Sequence, residues 1–220
     1  MAAFDLEEQE TLDELKAWWR QYGLWVKVGL AAVVLLAAGV LAWKHWQKTQ
    51  RDGAGALYFE LEAAFDGRDT LKVRELADKL ASDYKRSPYT PRAQMLAARR
   101  DAEAGKADEA EKRLRGIIAD AEEPMLRDMA RLRLSALLLD ERKHEDALKS
   151  LDKVELAQNG RLFDDRRGDI YIGLGKTAEA RKAFQTAHDA ASKDTAFQAW
   201  LQLKLDALAE SAPAAAGNAP

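Results

Sequence analysis

The chain contains one long apolar stretch, residues 24–43, which carries a single charge at Lys27. A helix of about 20 apolar residues has the length needed to cross the ~30 Å hydrocarbon core of a bilayer. Tryptophans lie at or just outside both ends, for example Trp19 and Trp46, where amphipathic rings favour the headgroup layer. A buried helix of a soluble protein would seldom have aromatic and basic residues at both ends. The stretch therefore predicts one transmembrane helix in a lipid bilayer.

The segment that precedes this stretch favours an uncleaved anchor over a secretory signal peptide. A signal peptide begins with a short basic region and ends at a small-residue cleavage site, whereas residues 5–14 contain six acidic side chains. Leucine and aromatic residues recur at steps of three and four between Leu6 and Tyr22, which predicts an amphipathic helix. This leader either lies on the membrane surface or docks to a partner.

Composition limits the function of the rest of the chain. Residues 1–43 contain 3 of the 34 basic and 6 of the 37 acidic residues, so the remainder has 31 of each sign. A nucleic-acid-binding surface needs clustered positive charge, so we expect no nucleic-acid partner. Cysteine is absent, which excludes disulfides and thiolate metal sites.

Helical periodicity dominates after Trp46, and Gly, Pro and Asn-Gly breakers divide the sequence into helices of roughly 12 to 18 residues. The last ten residues are rich in Ala and Pro and predict disorder. The predicted organisation has five parts: an acidic leader (1–23), the transmembrane helix (24–43), a juxtamembrane junction (44–55), a helical domain (56–210) and a disordered tail (211–220).

One segment of the helical domain, 161–191, has the spacing of a tetratricopeptide repeat (TPR). In such a repeat, small residues let two antiparallel helices approach, aromatic residues fill the space between them, and a glycine forms the turn. The residues of this packing motif are Gly168, Tyr171, Gly175, Ala180, Phe184 and Ala187. At the repeat period upstream, the positions of its second helix recur at Ala147, Leu151 and Val154 and at Ala110, Leu114 and Ile117.

Three turn sequences, GKADEA, RKHEDA and GKTAEA, occur at the same place in the repeating unit. This regularity favours a repeat array over an ordinary helical bundle. The predicted fold is all-α: one N-terminal transmembrane helix, then a TPR-like α-solenoid of about four helix pairs and a C-terminal helix.

No combination of residues in the sequence points to catalysis. The three histidines lack metal-ligand spacing, and we expect His144 and His188 to lie on polar helix surfaces. Nucleophile-elbow, phosphate-loop and dinucleotide motifs are also missing. We therefore predict a protein that is not an enzyme and has no catalytic residues, cofactor or metal.

A TPR solenoid binds partners through the concave wall formed by the first helix of each pair. Methionine and leucine side chains on such a wall can repack around varied segments. Alternatively, these residues are interior to the array or covered by the C-terminal helix. By helical phase, the predicted groove residues are Met95, Arg99, Met129, Leu132, Ala136, Leu139, Leu162, Asp165, Asp169 and Ile172.

The leader DLEEQETLDELKAWWRQYG, the AWKHW that ends the anchor and the block DDRRGDIYIGLGKTAEARKAF together resemble the YfgM family, over about residues 4–208. Members of this family are TPR-like, single-pass inner-membrane proteins of Gram-negative bacteria. The resemblance implies an ancillary subunit of the SecYEG translocon, with a cytoplasmic N-terminus and periplasmic repeats. It also implies partnership with the membrane-anchored periplasmic chaperone PpiD and transfer of emerging secretory client proteins to periplasmic chaperones.

Orientation in the membrane comes from this resemblance, because the basic residues that flank the anchor do not decide it. The positive-inside rule counts Lys and Arg near the ends of the span, and each side has three: Lys16, Arg20 and Lys27, and Lys44, Lys48 and Arg51. A scaffold for envelope assembly or cell-division complexes, built on the same fold, is the alternative function.

Overall fold

A computed structural model gives the fold of the chain. It describes the backbone of residues 2–191 and 194–210 and the side chains of residues 11–191 and 194–210. All regular secondary structure in these ranges is helical, which confirms the all-α prediction. The predicted tail, 211–220, lies outside the described residues, as do the side chains of the first ten residues of the leader.

The described residues form nine α-helices and one short 3-10 turn, and they divide into two compact units, with the boundary between Gly53 and Ala54. The helices are α1 (Ala2–Asp66), α2 (Thr70–Asp83), α3 (Tyr89–Glu103), α4 (Ala107–Asp120), α5 (Pro124–Asp140), α6 (His144–Ser150), α7 (Gly160–Gly173), α8 (Thr177–Ala190) and α9 (Thr195–Glu210).

The apolar stretch lies within α1. Among the described residues, α1 is the one helix that is long and apolar enough to cross a membrane. The large apolar side chains of residues 24–43 are exposed, for example Leu24 (71%) and Leu35 (72%). Such exposure suits a lipid environment rather than a protein core. At the end of the stretch the rings of Trp43 and Trp46 pack with their centroids 5.2 Å apart.

The predicted junction, 44–55, is helical and belongs to α1. From Ala54 onward α1 supplies the first helix of the repeat array, with Leu61 fully buried against α2 and α3. Gly55 lies beside the ring of Tyr89 on α3, and a Cβ added there would make an ordinary contact at 3.5 Å.

The second unit consists of four helix pairs followed by α9. The pairs are the end of α1 with α2, α3 with α4, α5 with α6, and α7 with α8. Buried side chains form one cluster across α1, α2 and α3, a central cluster from α3 to α7, and a last cluster over α7, α8 and α9. Each pair shares core with the next, as expected of a solenoid.

Each pair is joined by the same tight turn. In the last turn, the Lys176 N–H donates to the Tyr171 carbonyl at 2.9 Å, and the Gly175 N–H donates to the Ile172 carbonyl at 2.9 Å. The other three turns have the same two bonds. This is the Schellman motif, which requires one residue in the left-handed conformation. The residues that adopt it are Arg68 (φ 58°), Gly105 (φ 71°), Arg142 (φ 60°) and Gly175 (φ 72°).

A fully buried aspartate, Asp101, lies at the end of α3. It accepts hydrogen bonds from the Nε atoms of Arg74 on α2 and Arg113 on α4, the latter at 2.7 Å. Arg113 also donates to Asp78 at 2.6 Å and to Gln94 at 2.7 Å. The cluster therefore connects three helices through paired charges.

A second fully buried aspartate, Asp128, lies on α5. Its carboxylate accepts the backbone N–H groups of Glu155 and Leu156, each at 3.0 Å, and the Asn159 amide at 2.9 Å. These residues belong to the irregular connection between α6 and α7. The sequence periodicity predicts helix at Leu151 and Val154, but α6 ends at Ser150, because Asp128 binds the following backbone in a non-helical path.

The same connection is also held by its own Glu155, whose side chain is 10% exposed and binds two arginines of α5. Arg127 donates to both of its oxygens, and Arg131 donates to one at 2.8 Å. Hydrogen bonds from Arg127 and then from Arg131 lower the pKa of Glu155 to about 2. The carboxylate is therefore ionised over the whole neutral range.

Candidate protein-binding surface

The packing-motif residues shape the last helix pair. Ala180, Phe184 and Ala187 are fully buried on α8. A Cβ added to Gly168 would clash with the Phe184 ring, so only glycine lets α7 approach α8 this closely. Tyr171 packs against the same cluster. These side chains lie between α7 and α8, so they pack the repeat rather than contact partners.

On α3 and α5 the predicted groove residues are unequally accessible. Met95 is only 4% exposed and packs in the central cluster, so it lies in the interior. Arg99 is accessible and forms an ion pair with Glu103 at 2.8 Å. Met129 is 37% exposed. The remaining α5 members are partly buried: Leu132, Ala136 and Leu139.

On α7 two of the predicted groove residues are exposed and two are bound to another helix. Leu162 (37%) and Ile172 (47%) are exposed and apolar. Asp165 and Asp169 instead bind the Lys204 amine of α9, at 2.6 and 2.7 Å. Burial raises the pKa of Asp165, and the Lys204 charge acts in the opposite direction. Two predicted contact residues are thus already used to dock the last helix.

The structure shows a further apolar area that the groove prediction omitted. Phe59 of α1 is 75% exposed. It lines a shallow depression with Phe65 of α1 and Leu96 of α3, and Glu62 and Asp66 lie at the same place. Arg100 lies 4.0 Å from the centroid of the Phe65 ring. The signal for Phe59 is its place between Leu57 and Leu61, which face the core, because a residue midway between two inward helix positions points outward.

One histidine differs from the expectation of a polar surface position. The ring of His144 packs against α7, where a Cβ added to Gly173 would approach it to 2.7 Å. Its Nδ1 is buried and has no hydrogen-bond partner. His144 therefore acts as a packing residue between α6 and α7. Among the described residues, no group of three His, Asp or Glu side chains could hold a metal ion.

The exposed apolar members of the predicted groove are Met129, Leu162 and Ile172, and Leu132 is partly buried. Side chains of this kind can repack around varied segments. Binding at this surface stays a prediction.

Comparison with known proteins gives similar sequences over most of the chain, at 23–29% identity. A protein of Neisseria gonorrhoeae named "Ancillary SecYEG translocon subunit" is 29% identical over 210 residues, covering 94% of this chain and 99% of its own. Proteins with the same name from Haemophilus influenzae and Escherichia coli are 25% and 23% identical, over 87% and 81% of this chain and 93% and 85% of their own.

Among solved structures, residues 41 to the end of MamA from Desulfovibrio magneticus RS-1 have the same fold. The TM-score is 0.53 at 17% identity, over 72% of this chain and 90% of that chain. A family model described as a tetratricopeptide repeat-like domain matches residues 16–210. The resemblance to the YfgM translocon subunits is confirmed, and the chain belongs to the tetratricopeptide repeat-like family that this model defines.

Proposed function

We propose that this protein is an ancillary subunit of the SecYEG translocon, anchored in the inner membrane by residues 24–43, with its N-terminus in the cytoplasm and its repeats in the periplasm. The observation that carries the proposal is the relative of that name that aligns over 94% of this chain. The apolar exterior of α1 supports the anchor.

The repeats act by binding rather than by catalysis. Exposed Met129, Leu162 and Ile172 can contact secretory proteins as they leave the channel. A membrane-anchored periplasmic chaperone of the PpiD type, tethered in the same membrane, receives these chains. The protein thus connects emerging secretory clients with periplasmic chaperones.

Purification of the full chain from bacterial membranes in mild detergent tests the association. We expect SecY, SecE and SecG to co-purify with it, and the PpiD-type chaperone with them. The matched control is a chain of equal abundance in which residues 24–43 are replaced by an unrelated transmembrane helix. Co-purification of cell-wall or division proteins without channel subunits would contradict the proposal and favour the scaffold function.

A photo-cross-linking residue at Met129 or Leu132 tests the binding surface. We expect it to capture a secretory protein during export or the membrane chaperone. Leu71 on α2 is 76% exposed and lies outside the predicted groove, so the same probe there is the control. Equal capture at Leu71, or none at Met129 and Leu132, would contradict this role of the groove.

Labelling of single engineered cysteines tests the topology, because the chain has no cysteine of its own. A cysteine at Ala157 should react with a membrane-impermeant maleimide once the outer membrane is permeabilised. One at Leu12 should react only after the inner membrane is opened. The reverse pattern would place the repeats in the cytoplasm.

A further inference from the structure

The turns of α1 that follow the anchor carry basic residues on one side only. Lys44, Lys48 and Arg51 recur at steps of four and three, and all three are exposed. At 100° per residue they fall within about 60° of arc. We call these three residues the juxtamembrane basic stripe. Trp46 lies on the other side of the helix, about 170° from the middle of the stripe. The positive charge of this segment is therefore confined to one face.

No carboxylate among the described residues pairs with the juxtamembrane basic stripe. Between residues 17 and 59 the structure contains no ion pair, although Asp52 directly follows Arg51 in the sequence. Arg113 and Lys204 of the repeats, by contrast, each bind two carboxylates. The stripe thus keeps its charge available for an anion from outside the chain.

The two flanks of the anchor differ in their acidic residues. The leader, 1–23, contains six acidic side chains, and its Lys16 forms an ion pair with Asp13 at 2.9 Å. Residues 44–53 contain one acidic side chain, Asp52. An anionic membrane surface would repel the acids of the leader but would attract the stripe. The flank that follows the anchor is therefore the one suited to such a surface.

With residues 24–43 across a bilayer, the stripe lies at the level of the lipid headgroups. The apolar stretch ends at Trp43, and the headgroup layer adds about 5–8 Å on each side of the hydrocarbon core. At 1.5 Å per residue, Lys44 lies about 2 Å, Lys48 about 8 Å and Arg51 about 12 Å beyond Trp43. Long basic side chains can extend back along the helix toward the interface. All three can therefore reach the phosphate groups.

We propose that the juxtamembrane basic stripe binds the phosphate groups of anionic phospholipids. Lys and Arg next to a transmembrane helix attract acidic lipids, whereas a zwitterionic headgroup carries a positive charge that offsets its phosphate. Because the charges share one face, the lipids bind on that face of α1 and limit rotation of the helix in the bilayer. The proposal rests on the proposed anchor and not on the association with the translocon.

Lipid-selective quenching of the full chain in nanodiscs tests the proposal. Because the chain has no cysteine, Gln47→Cys, an exposed position beside the stripe, can be labelled with a small fluorophore. The discs contain phosphatidylcholine and a minor lipid that carries a nitroxide near the top of one acyl chain. This quencher has either a phosphatidylglycerol or a phosphatidylcholine headgroup. We expect the phosphatidylglycerol form to associate at least about threefold more strongly, and equal quenching would overturn the proposal.

An exchange of neighbouring residues separates the stripe from charge at the same depth. Lys48 is exchanged with Thr49, and Gln50 with Arg51, so that composition is kept but the basic residues, with Lys44, lie at least about 100° apart. The lipid preference should fall to less than about half of the wild-type value. Replacing all three basic residues by Gln should abolish it. A full preference in the exchanged chain would mean that the stripe is not the binding site. Circular dichroism confirms that the variants are helical.

Free phosphate has the same charged group as the lipid and provides the last comparison. Inorganic phosphate, added to the same discs at constant ionic strength, should leave the quenching unchanged, because confinement to the bilayer gives the lipid a much higher effective concentration. Loss of the phosphatidylglycerol preference would show that the stripe binds free anions, which would overturn the assignment to lipid.

Discussion

The second and third helix pairs use a buried aspartate in different ways. In the second pair, Asp101 is bound by arginines from two neighbouring helices, so charge connects regular elements. In the third pair, Asp128 binds backbone N–H groups and so fixes a connection that is not helical. The second helix of the third pair, α6, is correspondingly short, with seven residues. A TPR-like unit can therefore lose half a helix if a carboxylate orders the chain that replaces it.

The largest effect should come from Asp128→Ala. The substitution removes the acceptor of two backbone N–H groups and of the Asn159 amide. It also removes one of the two carboxylates that bind Arg131, so that only Glu155 remains. Removing one member of a buried charged network costs about 3–5 kcal/mol. Urea unfolding of the full chain in detergent measures the loss.

Asp152→Ala is the matched control for Asp128, because Asp152 is exposed on the same connection, and it should change stability by less than about 0.5 kcal/mol. If the two variants were equally stable, Asp128 would not order the connection.

Asp101→Ala should destabilise the protein less, by about 2–3 kcal/mol. Arg113 keeps Asp78 and Gln94 as acceptors, so one of the two arginines that bind Asp101 stays paired. The same urea measurement applies. If Asp101→Ala lost as much stability as Asp128→Ala, the two kinds of buried aspartate would stabilise the fold equally.

Acid should weaken the third pair through Glu155. The folded pKa, about 2, is below the ordinary value of 4.5, so its ionised form stabilises the fold above pH 4.5. That contribution is lost as the pH falls from 4.5 toward 2. Glu155→Gln should therefore be less stable than the wild type at neutral pH, and the two should converge in acid.

Urea midpoints of both chains between about pH 2 and pH 7 measure this difference. A constant difference over the range would mean that Glu155 stabilises the connection by packing and not by charge.

The smallest effects concern the turns, where the second pair has Gly105 and the third has Arg142 in the left-handed conformation. Arg142→Gly should stabilise the protein by roughly 0.5–1 kcal/mol, because glycine adopts positive φ without a Cβ clash. Gly105→Ala should destabilise it by a similar amount. Thermal midpoints of the two variants should move in opposite directions, and a shift of both in the same direction would contradict the turn argument.

The regular parts of the fold were predictable because they depend on local patterns. The turn sequences indicated three of the four Schellman turns. Ala110, Ala147 and Ala180 recur at the repeat period, and each is at most 1% exposed. The left-handed residue of the first turn, Arg68, was not predictable from the sequence. Glycine is the residue expected to adopt positive φ, but Gly67 beside it does not.

The irregular and surface features depend on non-local contacts and were less predictable. The path of 151–159 depends on Asp128, far upstream, so periodicity alone extended the helix wrongly. Met95 has the phase of a groove residue but is buried by α5 and its neighbours. The role of Asp165 and Asp169 depends on Lys204, at least 35 residues further along the chain.

The contact of Lys204 with Asp165 and Asp169 also affects how the array opens. Solenoids fray from their ends, and an end helix normally shows the fastest amide hydrogen exchange. These three side chains are only 18%, 19% and 25% exposed, and partly buried charge pairs are weakly screened by salt. The C-terminal end should therefore keep its exchange protection at ionic strengths that dissociate the exposed ion pairs elsewhere on the surface.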